Sequence, residues 1–309
     1  IAARCAGARG SISMQPWEKF LEKYRAFGQH PTRENHARLF DPNATILHPG
    51  MQAPMAKDHY VNFLQDALKR LPDFHLIPTH WAVNGDTLFV EARNTATVGG
   101  QPVVWPATYV VTLRDDLVVR ARAYYDRSEL LGHFEPDLAA KGPNAHVTVL
   151  EGSSPHGSSA ADGDAYAAQV YAAIVAPYAE NGKHPDPQKF REFYAPDARM
   201  INPGFERPLR RDGLSGYYAA LTTAIRDFQL HLECWAVAPE LLFIEWTVTG
   251  ELAGKRLELA NTDRFTLRDL LAVEGVAYFD NLAARALTEP KLARFADVSF
   301  ANRSSSDGR

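Results

Sequence analysis

Apolar residues recur along this chain first at helical spacing and then at strand spacing, and the same succession is run through twice. Trp17, Phe20, Leu21, Tyr24 and Phe27 fall on one stripe and predict an amphipathic helix. His36, Leu39 and Phe40 predict a second, short one, which Asp41-Pro42-Asn43 stops. A brief strand, Ala44 to Leu47, leads into a turn at His48-Pro49-Gly50. A third helix follows over about Lys57–Leu71, with Tyr60, Phe63, Leu64, Leu68 and Leu71 on its apolar face. Asp58 suits its first turn, where the positive end of the helix dipole lies. Strand patterns then run over Phe74–Val83, Thr87–Val98, Val103–Leu113 and Val118–Asp126. Gly85-Asp86, Gly99-Gly100 and Arg114-Asp115-Asp116 mark the turns between them. Three helices followed by a meander of long antiparallel strands predict one sheet with the helices on one face.

The second half repeats this order, with helices over Tyr166–Ala179, Phe190–Tyr194 and Gly213–Ile225. Its strands are Gln229–Val237, Leu241–Glu251, Arg256–Leu267 and Leu271–Asp280. A shift of 154 residues, without a gap, superposes the halves: Pro49-Gly50 on Pro203-Gly204, Trp81-Ala82-Val83 on Trp235-Ala236-Val237, Leu88-Phe89 on Leu242-Phe243 and Glu91 on Glu245. Thr112-Leu113-Arg114-Asp115 falls on Thr266-Leu267-Arg268-Asp269, and Tyr124 and Asp126 fall on Tyr278 and Asp280. Chance would scatter such matches over many offsets, so the chain is a duplication. The unit is far longer than the roughly 20–50 residues of a solenoid repeat, which makes each copy a domain. The expected division is a first domain over 14–134, a linker over 135–163 rich in Gly, Ser, Pro and Ala, and a second domain over 164–290. The Val-Thr-Val-Leu run at 147–150 could add an edge strand within that linker. Residues 1–13 are read as disordered or foreign to the native fold, and 291–309 as a tail fraying at its end.

Composition narrows the class without naming a function. Of 309 residues, 46% are hydrophobic and 23% charged, and the net charge of −4 offers nucleic acid no basic face. No apolar run is long enough to span a bilayer, and the N-terminus has no secretory h-region. The two cysteines, Cys5 and Cys234, fit a reducing compartment, so a cytoplasmic protein is expected. The 11 histidines form no metal-ligand spacing, and no phosphate-cradling glycine loop or Gly-x-Ser-x-Gly elbow occurs. No metal or nucleotide cofactor is therefore expected.

Several stretches carry a family resemblance: FDPNATILHPG and YAPDARMINPG, LPDFHL and IRDFQL, LFVEARNTATVGG and LFIEWTVTGELAG, and the endings TLRDDLVVRARAYYD and TLRDLLAVEGVAYFD. In these the chain resembles SnoaL-like domains of the nuclear transport factor 2-like superfamily. The resemblance covers both copies. It implies an α+β fold of two cone-shaped domains, each a curved antiparallel sheet with three helices on its concave side. The superfamily holds polyketide cyclases, ketosteroid isomerases, epoxide hydrolases and non-catalytic binding modules, so the fold does not choose among them.

Candidate chemistry starts at the strand ends. Alternation puts Tyr124 with Asp126, and Tyr278 with Asp280, on one face. In resembling enzymes an acid at this point faces the pocket, where burial would raise its pKa and suit it to acid–base work. The other reading of each Asp is a cap or salt bridge closing the sheet. His48 and its counterpart Asn202 precede the Pro-Gly turn and could carry or hold a proton, or could bond their own turn. In the second copy Leu257, Leu259, Asn261, Asp263, Phe265 and Leu267 alternate onto one face. Asn261 and Asp263 are thus expected in a cavity, where Asp280 would supply a second carboxylate. The first copy has Ala107 and Tyr109 there, with Trp105 before them, which predicts a more aromatic hollow. Asn202, Asn261, Tyr278 and Trp235 in the second copy, with Trp105 and Tyr109 in the first, are the expected substrate contacts. Glu91-x-Arg93 resembles part of the epoxide hydrolase triad, but with the charges reversed and with Glu245-x-Thr247 in the other copy. His75 and His80 read as surface positions.

Two functions stay open. One is a cofactor-independent cyclase, isomerase or dehydratase for a small hydrophobic carbonyl compound. The other is a binding or scaffold module without chemistry. Under either, the two copies are expected to pair with each other within the chain, with further self-association open.

Overall fold

The computed structural model describes residues 14–138, 144–148, 156–157 and 163–296. Residues 1–13 and the end of the chain, where the sequence suggested disorder and fraying, lie outside the described residues. The first copy runs α1 (Pro16–Gln29), α2 (Arg33–Ala37), β1 (Phe40–Leu47), β2 (Met55–Ala56), α3 (Lys57–Leu68), β3 (His75–Asn84), β4 (Thr87–Val98), β5 (Gln101–Arg114), β6 (Leu117–Tyr124) and α4 (Arg127–Leu131). Between the copies lie a helical turn α5 (Ala145–Thr148) and the two-residue β7 (His156–Gly157), which pairs with β3. The second copy runs α6 (Gly163–Val170), a π-wound turn (Tyr171–Val175), α7 (Ala176–Lys183), α8 (Pro187–Glu192), β8 (Tyr194–Ile201), β9 (Leu209–Arg210), α9 (Arg211–Ala224), β10 (Ile225–Ala238), β11 (Leu241–Leu252), β12 (Lys255–Arg268), β13 (Leu271–Phe279), α10 (Asn281–Thr288) and a short 3-10 turn (Pro290–Phe295).

The mixed α+β architecture and the duplication are as the sequence indicates, with four local differences. First, β1 pairs in parallel with β6, and β8 with β13, so each sheet is an antiparallel meander closed by one parallel strand. Second, β1 begins at Phe40, not Ala44. The helix has already ended at Ala37, before Leu39 and Phe40, and Asp41-Pro42-Asn43 does not stop it but forms a bulge inside the strand, where the pairing register slips between Phe40 and Thr45. Third, each meander is followed by a helix, α4 or α10, that no apolar stripe announced. Fourth, Val147 and Thr148 sit in a helical turn and not an edge strand.

Each hollow is set by how closely its first long helix crosses the sheet. A Cβ on Gly28, in α1, would lie 2.0 Å from the Leu76 carbonyl oxygen of β3. A Cβ on Gly182, at the equivalent place in α7, would lie 2.8 Å from the Leu230 carbonyl oxygen of β10. Only hydrogen fits at either crossing.

The other face of each sheet packs on its twin. Ala82, Phe89, Val110, Ala236, Phe243 and Val276 form a third core shared by the two halves. Phe89 and Phe243, equivalent residues, stack on each other with ring centroids 5.6 Å apart. Equivalent residues that touch must lie on the pseudo-twofold axis of the pair. The half-sheets also meet at one edge, where Val83 pairs with Val237. Both faces of β4 and β11 are therefore covered, which explains the near-continuous apolar runs Leu88–Val90 and Leu241–Ile244 in antiparallel strands.

Candidate functional site

Alternation along the last strand decides what enters each hollow. In β6 the hollow-facing residues are Ala121 and Ala123, followed by Tyr125; in β13 they are Ala277 and Phe279. Tyr124 and Tyr278, one residue out of phase, point the other way, into the junction between the copies. There the Tyr278 hydroxyl donates to Glu91 and the Tyr124 hydroxyl to Glu245. The expectation that Tyr-x-Asp looks into the pocket is thus corrected for both tyrosines. The pairing of parity was right and the face was wrong: Tyr124 shares its face with Arg122, which holds Glu245, and Tyr278 shares its face with Glu274, which bonds Arg264, so the charged faces turn to the junction and the apolar ones to the hollows.

Asp126 and Asp280 are buried in the same junction and line neither cavity. Asp126 Oδ1 accepts from Ser128 N at 3.0 Å, capping α4, and from Leu282 N at 3.4 Å, at the start of α10 in the other copy. Asp280 Oδ1 reciprocates by accepting from Arg127 N at 3.3 Å, and its Oδ2 receives Arg127 Nε at 2.8 Å. Burial, then the charges of Glu129 and Asp280, push Asp126 up to about 7. Burial also raises Asp280, against the pull of Arg127. The two acids cap across the copies, which is the closing role weighed against catalysis from sequence.

Two ion clusters complete the junction. Arg264 Nε donates to Glu91 at 2.6 Å, and His80 and Thr79 bond the same carboxylate. Burial pushes Glu91 up, but Arg264 and His80 outweigh it and hold the carboxyl well below the usual range. His80 is therefore a member of this cluster and not a surface residue, while His75 is exposed. Glu245 is held by Arg122, Tyr124 and Cys234. Glu91, the one acid of the would-be epoxide hydrolase pattern, is spent here.

The hollow of the first copy is nearly full. Two spaces of about 70 Å³ each remain, both touching His48 and Tyr109. His48 shares a hydrogen bond of 2.6 Å between its Nε2 and the Tyr60 hydroxyl. Burial lowers His48 to about 4 and His36 to about 3, so both rings are neutral near pH 7. Burial pushes Tyr109 up to about 12. Trp105 packs on Phe74, with centroids 5.9 Å apart, and occupies the room a ligand would need.

The second copy keeps a cavity of about 340 Å³. Asn202, Asn261 and Asp263 line it, as expected from sequence, with Tyr178, Tyr217 and Tyr218 added from the helices. Phe265 and Leu267 stay in the core behind. Asp263 is 8% exposed, and burial pushes it up to about 7, with a small opposing pull from the Trp246 indole N–H. Asn202 Nδ2 donates to the Tyr217 hydroxyl at 2.5 Å, which leaves that hydroxyl's own proton to donate elsewhere. Asn202 Oδ1 and Asn261 Oδ1 are buried with no hydrogen-bond partner among the described residues. Unpaired buried oxygens are costly, and a ligand with an O–H or N–H to donate would satisfy them. Trp235, expected to contact substrate, lies outside the cavity. Its ring packs on Tyr171 at 5.5 Å, because β10 runs past the end of the hollow before reaching it. Asp280 is also absent from this space, so the two-carboxylate pocket is corrected to a pocket with one.

Sequence reading missed Tyr217 and Tyr218. The signal was in the repeat, which sets them against Phe63 and Leu64, a change from apolar to hydroxyl-bearing side chains on one helix face. Among the described residues, no group of three His, Cys, Asp or Glu side chains could hold a metal ion. No helix among them is long and apolar enough to cross a membrane.

No curated protein matches this chain. Among solved structures it is similar to wild-type IdmH, a putative polyketide cyclase from Streptomyces antibioticus, at 17% identity over 39% of this chain and 99% of that one, with a TM-score of 0.36. It is similar also to a protein of ketosteroid isomerase-like fold from Catenulispora acidiphila, crystallised with trimethylamine, at 17% identity over 39% of this chain and 93% of that one, with a TM-score of 0.35. The family model for the SnoaL-like domain matches residues 19–121 and again 178–275, together well over half of the sequence. Each segment takes in α-helices and the meander of one copy, so the chain belongs to the SnoaL-like domain family and carries that domain twice.

Proposed function

We propose that the second copy is the working one and that it moves a proton on a small hydrophobic carbonyl compound without a cofactor, as a cyclase, isomerase or dehydratase does. The observation that carries this reading is Asp263, a single buried carboxyl titrating near 7 in a cavity of about 340 Å³. A group poised near the working pH is both a fair base and a fair acid. As a carboxylate, Asp263 takes a proton from the carbon beside the carbonyl. The electron pair of that C–H bond moves onto the carbonyl oxygen, and the Tyr217 O–H donates a hydrogen bond to the resulting enolate. Asp263, now protonated, returns the proton to another carbon in an isomerisation, or to a departing hydroxyl, which leaves as water. The first copy holds the second in shape through the junction.

The test needs no knowledge of the natural substrate. Hydrophobic ketones incubated with the protein in deuterated water should exchange their α-protons, read by mass or NMR. Exchange should be lost in Asp263→Asn and persist in Asp126→Asn and His48→Asn. Equal exchange in Asp263→Asn would end the reading. The lone carboxylate gives some weight to a second one, a carrier that holds the ligand's carbonyl oxygen with the Tyr217 hydroxyl and leaves it unchanged. That carrier would bind ketones and exchange nothing.

A further inference from the structure

The polar groups of the second cavity are gathered at one end. Along β12 the residues facing it are, in order, Asp263, Asn261, Leu259 and Leu257. Strand rise makes that row about 20 Å long. The neighbouring strand grades the same way: Val248 stands opposite Leu259, and Leu252 lies farther on. The helix above does likewise, with Tyr217 and Tyr218 first and Leu221 and Ala224 after. Ile225, Leu230 and Phe228 close the far end, which is aliphatic apart from that one ring.

Both ends are walled by buried residues: Asp263, Asn202 and Tyr218 at one, Ile225, Phe228, Leu230 and Leu257 at the other, where half-buried Leu252 and exposed Ala224 stand at the edge. The rings at the polar end already face one another: Phe190 stacks on Tyr218 with centroids 4.0 Å apart, and Tyr178 packs on Trp246 at 5.1 Å. Those two tyrosine faces are taken by neighbours and not left for a planar ligand.

We propose that this cavity takes an extended aliphatic chain ending in a single carbonyl, with the oxygen-bearing end against Asp263 and Tyr217 and the chain running past Leu259 and Leu257 toward Leu252. The proposal rests on the reading of Asp263 as the reacting end. A cavity of ~150 Å³ holds one benzene, so this one has room for a chain on the order of ten to twelve carbons. The aliphatic wall sets chain length, and Asp263 with the Tyr217 hydroxyl sets which end of the ligand lies against the polar wall.

The experiment is a binding series on the full chain, by calorimetry, with 2-alkanones from 2-hexanone to 2-tetradecanone and with the planar 2-acetylnaphthalene, which has the carbon count of 2-dodecanone. Affinity should rise about threefold to fourfold per added methylene and level off near ten to twelve carbons. 2-Acetylnaphthalene should bind more weakly than 2-dodecanone. Leu257→Trp should bring the levelling-off to shorter chains while leaving 2-hexanone unchanged. Leu252→Phe, nearer the surface, should do the same more mildly and serves if the first variant does not fold. A flat length series, tighter binding of 2-acetylnaphthalene, or no movement of the break in either variant would overturn the proposal. Deuterium exchange read on the same ketones separates the two ideas. Length-dependent binding without exchange removes the acid–base reading and leaves chain selection standing; exchange with a flat series does the reverse.

Discussion

The two copies share a backbone and part company in their hollows. Where the first has Trp105, Ala107 and Tyr109 on its third meander strand, the second has Leu259, Asn261 and Asp263. Two large rings close one cavity to remnants of about 70 Å³, and their smaller replacements leave about 340 Å³ in the other. On the opposite face the copies agree. Phe89 and Phe243, Tyr124 and Tyr278, Glu91 and Glu245, and Asp126 and Asp280 are identical pairs, and all of them build the junction. The repeat therefore keeps what holds the halves together and lets go of what lines the pockets. In a duplicated chain the residues shared by both halves mark the mutual interface, and those that differ mark the site.

Several measurements would break or sharpen that contrast. The largest effect belongs to the pockets. Asp263→Asn should cost about 10²–10⁴-fold in proton-transfer rate, whereas His48→Asn, which gives the first copy its twin's residue, should change the rate less than about twofold. Steady-state kinetics on an exchanging ketone decides this, and an equal loss in both would erase the asymmetry.

The junction should show a smaller asymmetry, because its arginines come from non-equivalent positions. Arg264 is 2% exposed and bonds both Glu91 and Glu274; Arg122 is 18% exposed and bonds Glu245. Arg264→Met strands a buried carboxylate and should destabilise the chain by about 3–5 kcal/mol. Arg122→Met, with water at hand, should cost about 1–3 kcal/mol by denaturant unfolding. Next in size are the helix crossings. Gly28→Ala and Gly182→Ala should each destabilise by about 1–3 kcal/mol, with Gly28→Ala the worse because its added methyl meets a carbonyl oxygen nearer by 0.8 Å, 2.0 against 2.8 Å.

A further test is pH. Buried His36 and His48 resist protons that the unfolded chain accepts, so the first copy should lose stability as pH falls from about 6.5 toward 4. Asp263 resists ionising where the unfolded chain ionises, so the second copy should lose stability as pH rises from the ordinary carboxylate range toward about 7. Each group contributes at most about 1.4 kcal/mol per pH unit. Hydrogen exchange followed separately in α2–α3 and in β12 should slope in opposite directions, and Asp263→Asn should flatten the second slope alone.

Much of this was legible before any coordinates. The offset of 154 residues fixed the duplication, and the repeat even aligns Gly28 with Gly182, whose need for hydrogen shows only at the helix crossing. The alternation Leu257 to Leu267 rightly put Asn261 and Asp263 together on one face. The same alternation failed at Tyr124 and Asp126. Asp263 has Phe265 and Leu267 beside it to tell inside from outside, whereas Tyr124 follows Arg120 and Arg122 on its own face, a charged row that belongs to the junction and not to a cavity.

What the sequence determined alone, then, was local: element order, turn positions, strand parity and the existence of two equivalent domains. These follow from neighbours along the chain and from one repeated spacing. Which face of each sheet meets its twin, which hollow stays open and which carboxyl ends up isolated in it were decided only by tertiary structure. Each depends on side-chain volumes summed across strands and helices far apart in sequence, and on a pseudo-twofold contact that no single segment encodes.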